Sequence, residues 1–144
     1  MQAILITHLF IYFKVAHEEP NPVFHRDIRW NNVLREIQDP TRWFLIDWED
    51  SSVAPTKAAP HFNSMNHSPG VFADNHGAEV DIWGVGFLIS SCASSSISSE
   101  LRVLGREICN SSHKYSPERL LQRIREIRAG PTYTLAPSQE PVAL

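Results

Sequence analysis

The chain has 144 residues, of which 42% are hydrophobic and 20% charged, so it is long enough for one domain with a core. This composition excludes collagen-like, low-complexity and wholly disordered chains. Thirteen lysines and arginines against sixteen aspartates and glutamates give a net charge of −3, which indicates neither nucleic acid nor a membrane as partner. The two cysteines, Cys92 and Cys109, are too few for a disulfide framework, and their spacing matches no metal motif. We therefore expect free thiols and an intracellular, cytoplasmic location.

The first predicted element is a largely buried helix over residues 3–16, where apolar residues recur at helical spacing. Prolines 20 and 22 end it. The run is too short and too polar to cross a bilayer, and it lacks the basic start and cleavage site of a signal peptide. Two short strands at 32–35 and 43–46 follow, and the turn-forming residues between them predict a hairpin.

Residues 48–76 show no clear period, which is typical of a functional loop or of disorder. Three histidines of this segment, His61, His67 and His76, have no ligand-like spacing with a cysteine. The sequence therefore predicts that they lie on the surface.

The helix predicted over 78–90 is apolar on nearly all sides and should be buried. Its two glycines, Gly84 and Gly86, would let a neighbouring element pack closely against it. Seven serines in 90–99 predict a flexible connector, and another helix is expected near 99–109.

The clearest helix start is Ser116-Pro117-Glu118, because serine caps helix N-termini, proline suits the first turn and glutamate complements the helix dipole. Gly130 ends this helix, and 131–144 is expected to be a flexible tail. The predicted fold class is therefore mainly α with a small β-hairpin.

Three motifs occur in a meaningful order. The segment His25-Arg26-Asp27-Ile28-Arg29-Trp30-Asn31-Asn32 has the pattern H-R-D-x-x-x-x-N, Ile46-Asp47-Trp48-Glu49 ends the hairpin, and Asp81-Ile82-Trp83-Gly84 opens the apolar helix. Together they resemble the C-terminal lobe of protein kinases, and in their variant positions the divergent fungal kinase-like proteins. The resemblance divides residues 1–130 into a catalytic loop at 25–32, a metal-binding motif at 47–49, an activation-segment-like loop at 48–70 and a central helix at 78–90.

The resemblance implies ATP and Mg²⁺ as cofactors and assigns roles to single residues. Asp27 would accept the proton of the acceptor hydroxyl, and Arg29 would neutralise charge on the transferred phosphate. Asn32 and Asp47 would bind the metal and the nucleotide, since amide and carboxylate oxygens suit Mg²⁺. The plainer alternative is that Asp27 and Asn32 are loop residues that hydrogen-bond their own backbone.

The remaining implied roles are structural. His25 and Arg26 would hold the catalytic loop, and Asp81 would accept hydrogen bonds from its backbone. Arg26 could also pair with a phosphate on the activation-segment-like loop, whose candidate hydroxyl residues are Ser51, Ser52, Thr56, Ser64 and Ser68. An exposed polar loop without modification is the simpler interpretation.

Nothing in the sequence supplies the Gly-rich loop or the lysine–glutamate pair of the kinase small lobe, so a truncated domain with the small lobe absent is expected. Completed by a small lobe, it would phosphorylate Ser or Thr hydroxyls of a protein substrate. Three alternatives stay open: a catalytically inactive remnant that binds a partner protein, an incomplete gene model, and a small-molecule phosphotransferase, since residues 46–50 also resemble the metal site of aminoglycoside and choline kinases.

Overall fold

A computed structural model describes residues 21–130, so the predicted helix at 3–16 and the predicted tail at 131–144 lie outside the described residues. The described helices are α1 (Glu79–Ser91), α2 (Ser99–Ser111) and α3 (Pro117–Ala129). The described strands are β1 (Val23–Phe24), β2 (Val33–Arg35), β3 (Trp43–Leu45) and β4 (Ser52–Val53). This part of the chain is mainly α with a small β part, which confirms the predicted class.

The strands form two antiparallel pairs. Strands β2 and β3 make the predicted hairpin, with Val33 opposite Leu45. Strands β1 and β4 form a second pair that no pattern in the sequence indicates, with Val23 opposite Val53. Because β1 directly precedes residues 25–32 and β4 lies early in 48–76, this second pair brings the two segments together.

One hydrophobic core joins the β-hairpin to the helices. Ile28, Val33 and Leu45 lie in it with apolar residues of all three helices. A methyl group on Gly84 would lie 2.8 Å from the carbonyl oxygen of Ile28, so the backbone of residues 25–32 rests directly on α1. The close packing expected at this glycine is confirmed, and it fixes the predicted catalytic loop against the central helix.

The contact between α1 and α2 is equally close. A methyl group on Gly86 would lie 2.9 Å from the carbonyl oxygen of Gly105, and one on Gly105 would lie 2.8 Å from the carbonyl oxygen of Gly86. The two helices therefore meet backbone to backbone at this crossing. Each described α-helix has 13 residues, and none of them combines the length and apolarity needed to cross a bilayer.

Serine side chains cap the N-termini of two of the three described helices. Ser98 caps α2 and Ser116 caps α3, each by accepting a hydrogen bond from a backbone N–H three residues on. The cap predicted at Ser116 is thereby confirmed. Ser90 and Ser91 belong to the last turn of α1 and donate to the carbonyl of Phe87, so the connector is shorter than the serine-rich segment suggested.

Residues 48–76 are packed rather than structureless. A second, smaller core joins Ala59, Val71 and Val80, with Phe62 and Phe72 packed against it. This segment also contains β4 and a 3₁₀ turn over 69–72. Its order comes from contacts with α1 and β1 that are distant in sequence, and so it leaves no periodic pattern in the chain.

Candidate active site

The segment 25–32 is held by a buried carboxylate. Oδ2 of Asp81 accepts a hydrogen bond from the backbone N–H of His25 at 2.8 Å, and Oδ1 accepts one from that of Arg26 at 2.7 Å. Asp81 is 1% exposed and lies in the first turn of α1. Both bonds are charge-assisted, and the positive end of the helix dipole stabilises the carboxylate further.

Two residues of the site have a left-handed backbone. Arg26 has a φ of 73° and Asp47 a φ of 65°, a region that side-chain-bearing residues seldom adopt. Such a conformation costs on the order of 1 kcal/mol or more and persists only where the surroundings impose it. At Arg26, the bond to Asp81 supplies that constraint.

His25 ties this segment to the end of the hairpin. Its Nε2–H donates to the carbonyl of Ile46 at 3.0 Å, while Nδ1 accepts from the N–H of Asp27 at 3.3 Å. Its ring meets the Trp48 ring edge-on at a centroid distance of 4.6 Å. The two segments that carry the predicted catalytic and metal-binding residues are therefore adjacent.

Asp27 is 3% exposed and is surrounded by hydrogen-bond donors and positive charge. Its Oδ2 and its backbone oxygen both accept from Nδ2 of Asn32, at 2.8 and 2.9 Å. Its Oδ1 lies 2.8 Å from Nε2 of His67 and 2.7 Å from Nε of Arg29. The Arg29 contact is an ion pair rather than a hydrogen bond, because the Nε–H of Arg29 is not directed at the carboxylate. Arg29 thus faces Asp27 in this structure.

Asn32 and Asp47 lie at the same end of the hairpin. The N–H of Ile46 donates to the carbonyl of Asn32 at 2.9 Å, which extends the β2–β3 ladder by one pair and places Asp47 directly after it. Asn32 is buried and Asp47 is exposed. Within residues 21–130, Asp47 makes no hydrogen bond or ion pair with Asp27 or Asn32.

These two residues suit Mg²⁺ as a partial ligand set. Nδ2 of Asn32 donates both of its hydrogens to Asp27. Oδ1 of Asn32 therefore faces away from that carboxylate and can serve as a hard ligand. The part of the chain described has no cluster of three or more His, Cys, Asp or Glu that would hold a metal ion alone. A site built on one amide and one carboxylate would depend on water and phosphate oxygens, as Mg²⁺ sites commonly do.

Two of the predicted surface histidines are buried, which corrects that prediction. His67 and His76 are each 6% exposed, whereas His61 is exposed and pairs with Asp50 at 2.9 Å. The contact of His67 with Asp27 was missed because 40 residues separate the two. His67 lies in the activation-segment-like loop and in none of the three motifs, so no sequence signal indicated this contact.

Two of the candidate phosphorylation sites are also inaccessible. Thr56 is 0% exposed and Ser68 is 6% exposed, and Ser68 accepts a hydrogen bond from the N–H of Gly70. A kinase could not reach these hydroxyls in this conformation. Arg26, the residue proposed to pair with such a phosphate, has a buried Nε without a hydrogen-bond partner in the described region.

The exposed carboxylate of Asp74 connects two parts of the segment 48–76. Asp74 accepts a hydrogen bond from the backbone N–H of Ala58 at 2.9 Å and pairs with Lys57 at 3.1 Å. The Ala58 hydrogen bond, and then the Lys57 bond, hold the pKa of Asp74 below its ordinary value.

Comparison with known proteins gives one informative likeness. No protein-family model and no solved structure matches the chain. The chain is 39% identical over 75 residues to Crinkler effector protein 8 of Phytophthora infestans, an alignment covering 49% of this chain. It covers 12% of that relative, so the likeness concerns one segment of a much longer protein.

Proposed function

We propose that this chain is the C-terminal lobe of a protein-kinase-like phosphotransferase that uses ATP and Mg²⁺ to phosphorylate Ser or Thr hydroxyls of a protein substrate. The observation that carries the proposal is the orientation of Asn32. Its amide nitrogen holds Asp27, and its amide oxygen is left for a cation at the hairpin end where Asp47 lies. The anchoring of the same loop by Asp81 supports the lobe assignment.

In this proposal each residue has a defined task. Asp27 orients the acceptor hydroxyl and accepts its proton, and its buried position keeps competing water away. Asn32 and Asp47 would hold Mg²⁺, which when bound supplies charge neutralisation and alignment of the phosphates. Arg29 brings a permanent positive charge next to Asp27, where it would offset negative charge that develops during transfer.

The test is thermal denaturation with ATP and Mg²⁺, with ATP and a chelator, and without nucleotide. A ligand at one hundred times its dissociation constant stabilises the folded state by about 2.7 kcal/mol, which gives a measurable rise in Tm. We expect a metal-dependent rise for the wild type, and none for Asp47→Asn. Glu49→Gln is the matched control, because it removes a neighbouring exposed carboxylate and should retain the rise.

Absence of a metal-dependent rise in the wild type would contradict the proposal for this chain. An equal rise in Asp47→Asn would exclude Asp47 as a ligand.

A non-catalytic protein-binding module is the second candidate. It is favoured by apolar side chains exposed on the β-hairpin, where Leu34 is 49% and Ile37 is 90% exposed. This candidate predicts that ATP and Mg²⁺ leave the Tm unchanged in every variant, so the same experiment separates the two.

A further inference from the structure

His67 lies between a backbone carbonyl oxygen and a carboxylate oxygen. Its Nδ1 is 2.8 Å from the backbone carbonyl of Asn63, and its Nε2 is 2.8 Å from Oδ1 of Asp27. The side chains of His67 and Asp27 are both 5% exposed, so water does not replace either partner.

The other neighbours of Asp27 leave the donation to Oδ1 to His67. Asn32 donates to Oδ2 and to the backbone oxygen of Asp27, and the Nε–H of Arg29 is not directed at the carboxylate, although Nε lies 2.7 Å from Oδ1. Nε2 of His67 is therefore the nitrogen placed to donate to Oδ1.

We propose that His67 is a positioning residue for Asp27, an inference that rests on the proposed function. The ring of His67 and the guanidinium of Arg29 occupy Oδ1, whereas within the described residues Oδ2 accepts only from Asn32. Each carboxylate oxygen has two lone pairs. His67 therefore fixes the rotamer in which Oδ2 is the oxygen that receives the proton of the acceptor hydroxyl.

This arrangement couples the activation-segment-like loop to the base. Nδ1 of His67 is held by Asn63, and its ring stacks on Phe62 at a centroid distance of 4.2 Å and an interplanar angle of 10°. Phe62 also contacts the ring of His61, at a centroid distance of 4.4 Å. A movement of the loop would withdraw the donor from Asp27.

The test follows the side-chain amide hydrogens of Asn32 in the ¹⁵N-labelled full chain, because both of them are bonded to Asp27. His67→Phe keeps a ring against Phe62 and donates nothing to Asp27. In this variant the carboxylate loses its fixed rotamer, so we expect the Asn32 amide signals to shift and their exchange with solvent to speed up. His67→Gln can still donate to Asp27 and should recover part of the wild-type signals.

His61→Phe is the control, since it removes an exposed His–Asp pair and should leave the Asn32 signals unchanged. Asn32 signals in His67→Phe that equal those of the wild type would overturn the proposal.

A second measurement keeps the test independent of folding defects in one variant. Backbone hydrogen exchange of residues 63–68 should speed up about tenfold or more in His67→Phe, because the ring contacts of His67 with Asn63 and Asp27 are lost. His67→Gln, which can still donate to Asp27, should recover part of that protection. Equal exchange in His67→Gln and His67→Phe would count against the hydrogen-bonding role.

The two proposals fail separately. Altered Asn32 signals in His67→Phe without a Mg²⁺-dependent rise in Tm would remove the phosphotransferase proposal and leave the contact. A Mg²⁺-dependent rise with unaltered Asn32 signals would remove only the role of His67.

Discussion

Replacement of Asp81 by asparagine should destabilise the protein strongly, although it changes one atom. The carboxylate accepts the backbone N–H groups of His25 and Arg26, and it is 1% exposed. Asparagine keeps one acceptor oxygen and turns an NH₂ group toward the second backbone N–H, so two donors face each other. A hydrogen bond to a charged group contributes about 1.5–3 kcal/mol, and a buried unsatisfied N–H costs about 1–3 kcal/mol.

We therefore expect Asp81→Asn to lower the free energy of unfolding by about 2–4 kcal/mol. Urea denaturation followed by tryptophan fluorescence measures this quantity. Asp74→Asn is the control, because Asp74 also accepts a backbone N–H but is exposed, and its replacement should have a much smaller effect. A loss below about 0.5 kcal/mol for Asp81→Asn, which is the range of ordinary surface substitutions, would refute the anchoring role.

Two further predictions concern the crossing of α1 and α2 and the contacts of Asp74 with Lys57 and Ala58. Gly86→Ala should lower the Tm, because its methyl group would lie 2.7 Å from Cβ of Ile108. Overpacking costs about 1–3 kcal/mol, which outweighs a gain in helix propensity of about 1 kcal/mol. An unchanged Tm would contradict the close crossing of α1 and α2. Asp74 stabilises the fold fully above its unfolded pKa, near 3.8, and loses this effect as the pH falls through its lower folded pKa. The stability difference between wild type and Asp74→Asn in urea titrations should therefore shrink over that acidic range, and a pH-independent difference would argue against the Ala58 and Lys57 contacts.

Local patterns were sufficient to predict the hairpin and the three helices that the structure describes. Helix α3 begins at Pro117, as its serine cap and proline indicate, and the apolar run beginning near residue 78 marks α1. The strand pair β1–β4 could not be predicted in the same way. Each strand has two residues, which is too short for an alternating pattern, and Val23 and Val53 pair across a long stretch of chain.

The candidate site was predictable only where a family motif covers it. The motifs point to Asp27, Asn32 and Asp81, and the structure brings them onto one loop and the helix below it. His67 belongs to no motif and reaches Asp27 only because the small core around Val71 folds the loop back. The burial of His67 depends on tertiary packing, which neither residue spacing nor composition indicates.

The central claim is that Asn32 and Asp47 share one divalent metal ion with a nucleotide, and paramagnetic broadening tests it most directly. Mn²⁺ with ATP should be titrated into the ¹⁵N-labelled chain, with Mg²⁺ and ATP as the diamagnetic reference. We predict that the side-chain amide of Asn32 and the backbone amide of Asp47 broaden first and together, and that Asp47→Asn abolishes both effects. Broadening at exposed carboxylates such as Glu49 with sharp Asn32 signals would contradict the proposed metal site.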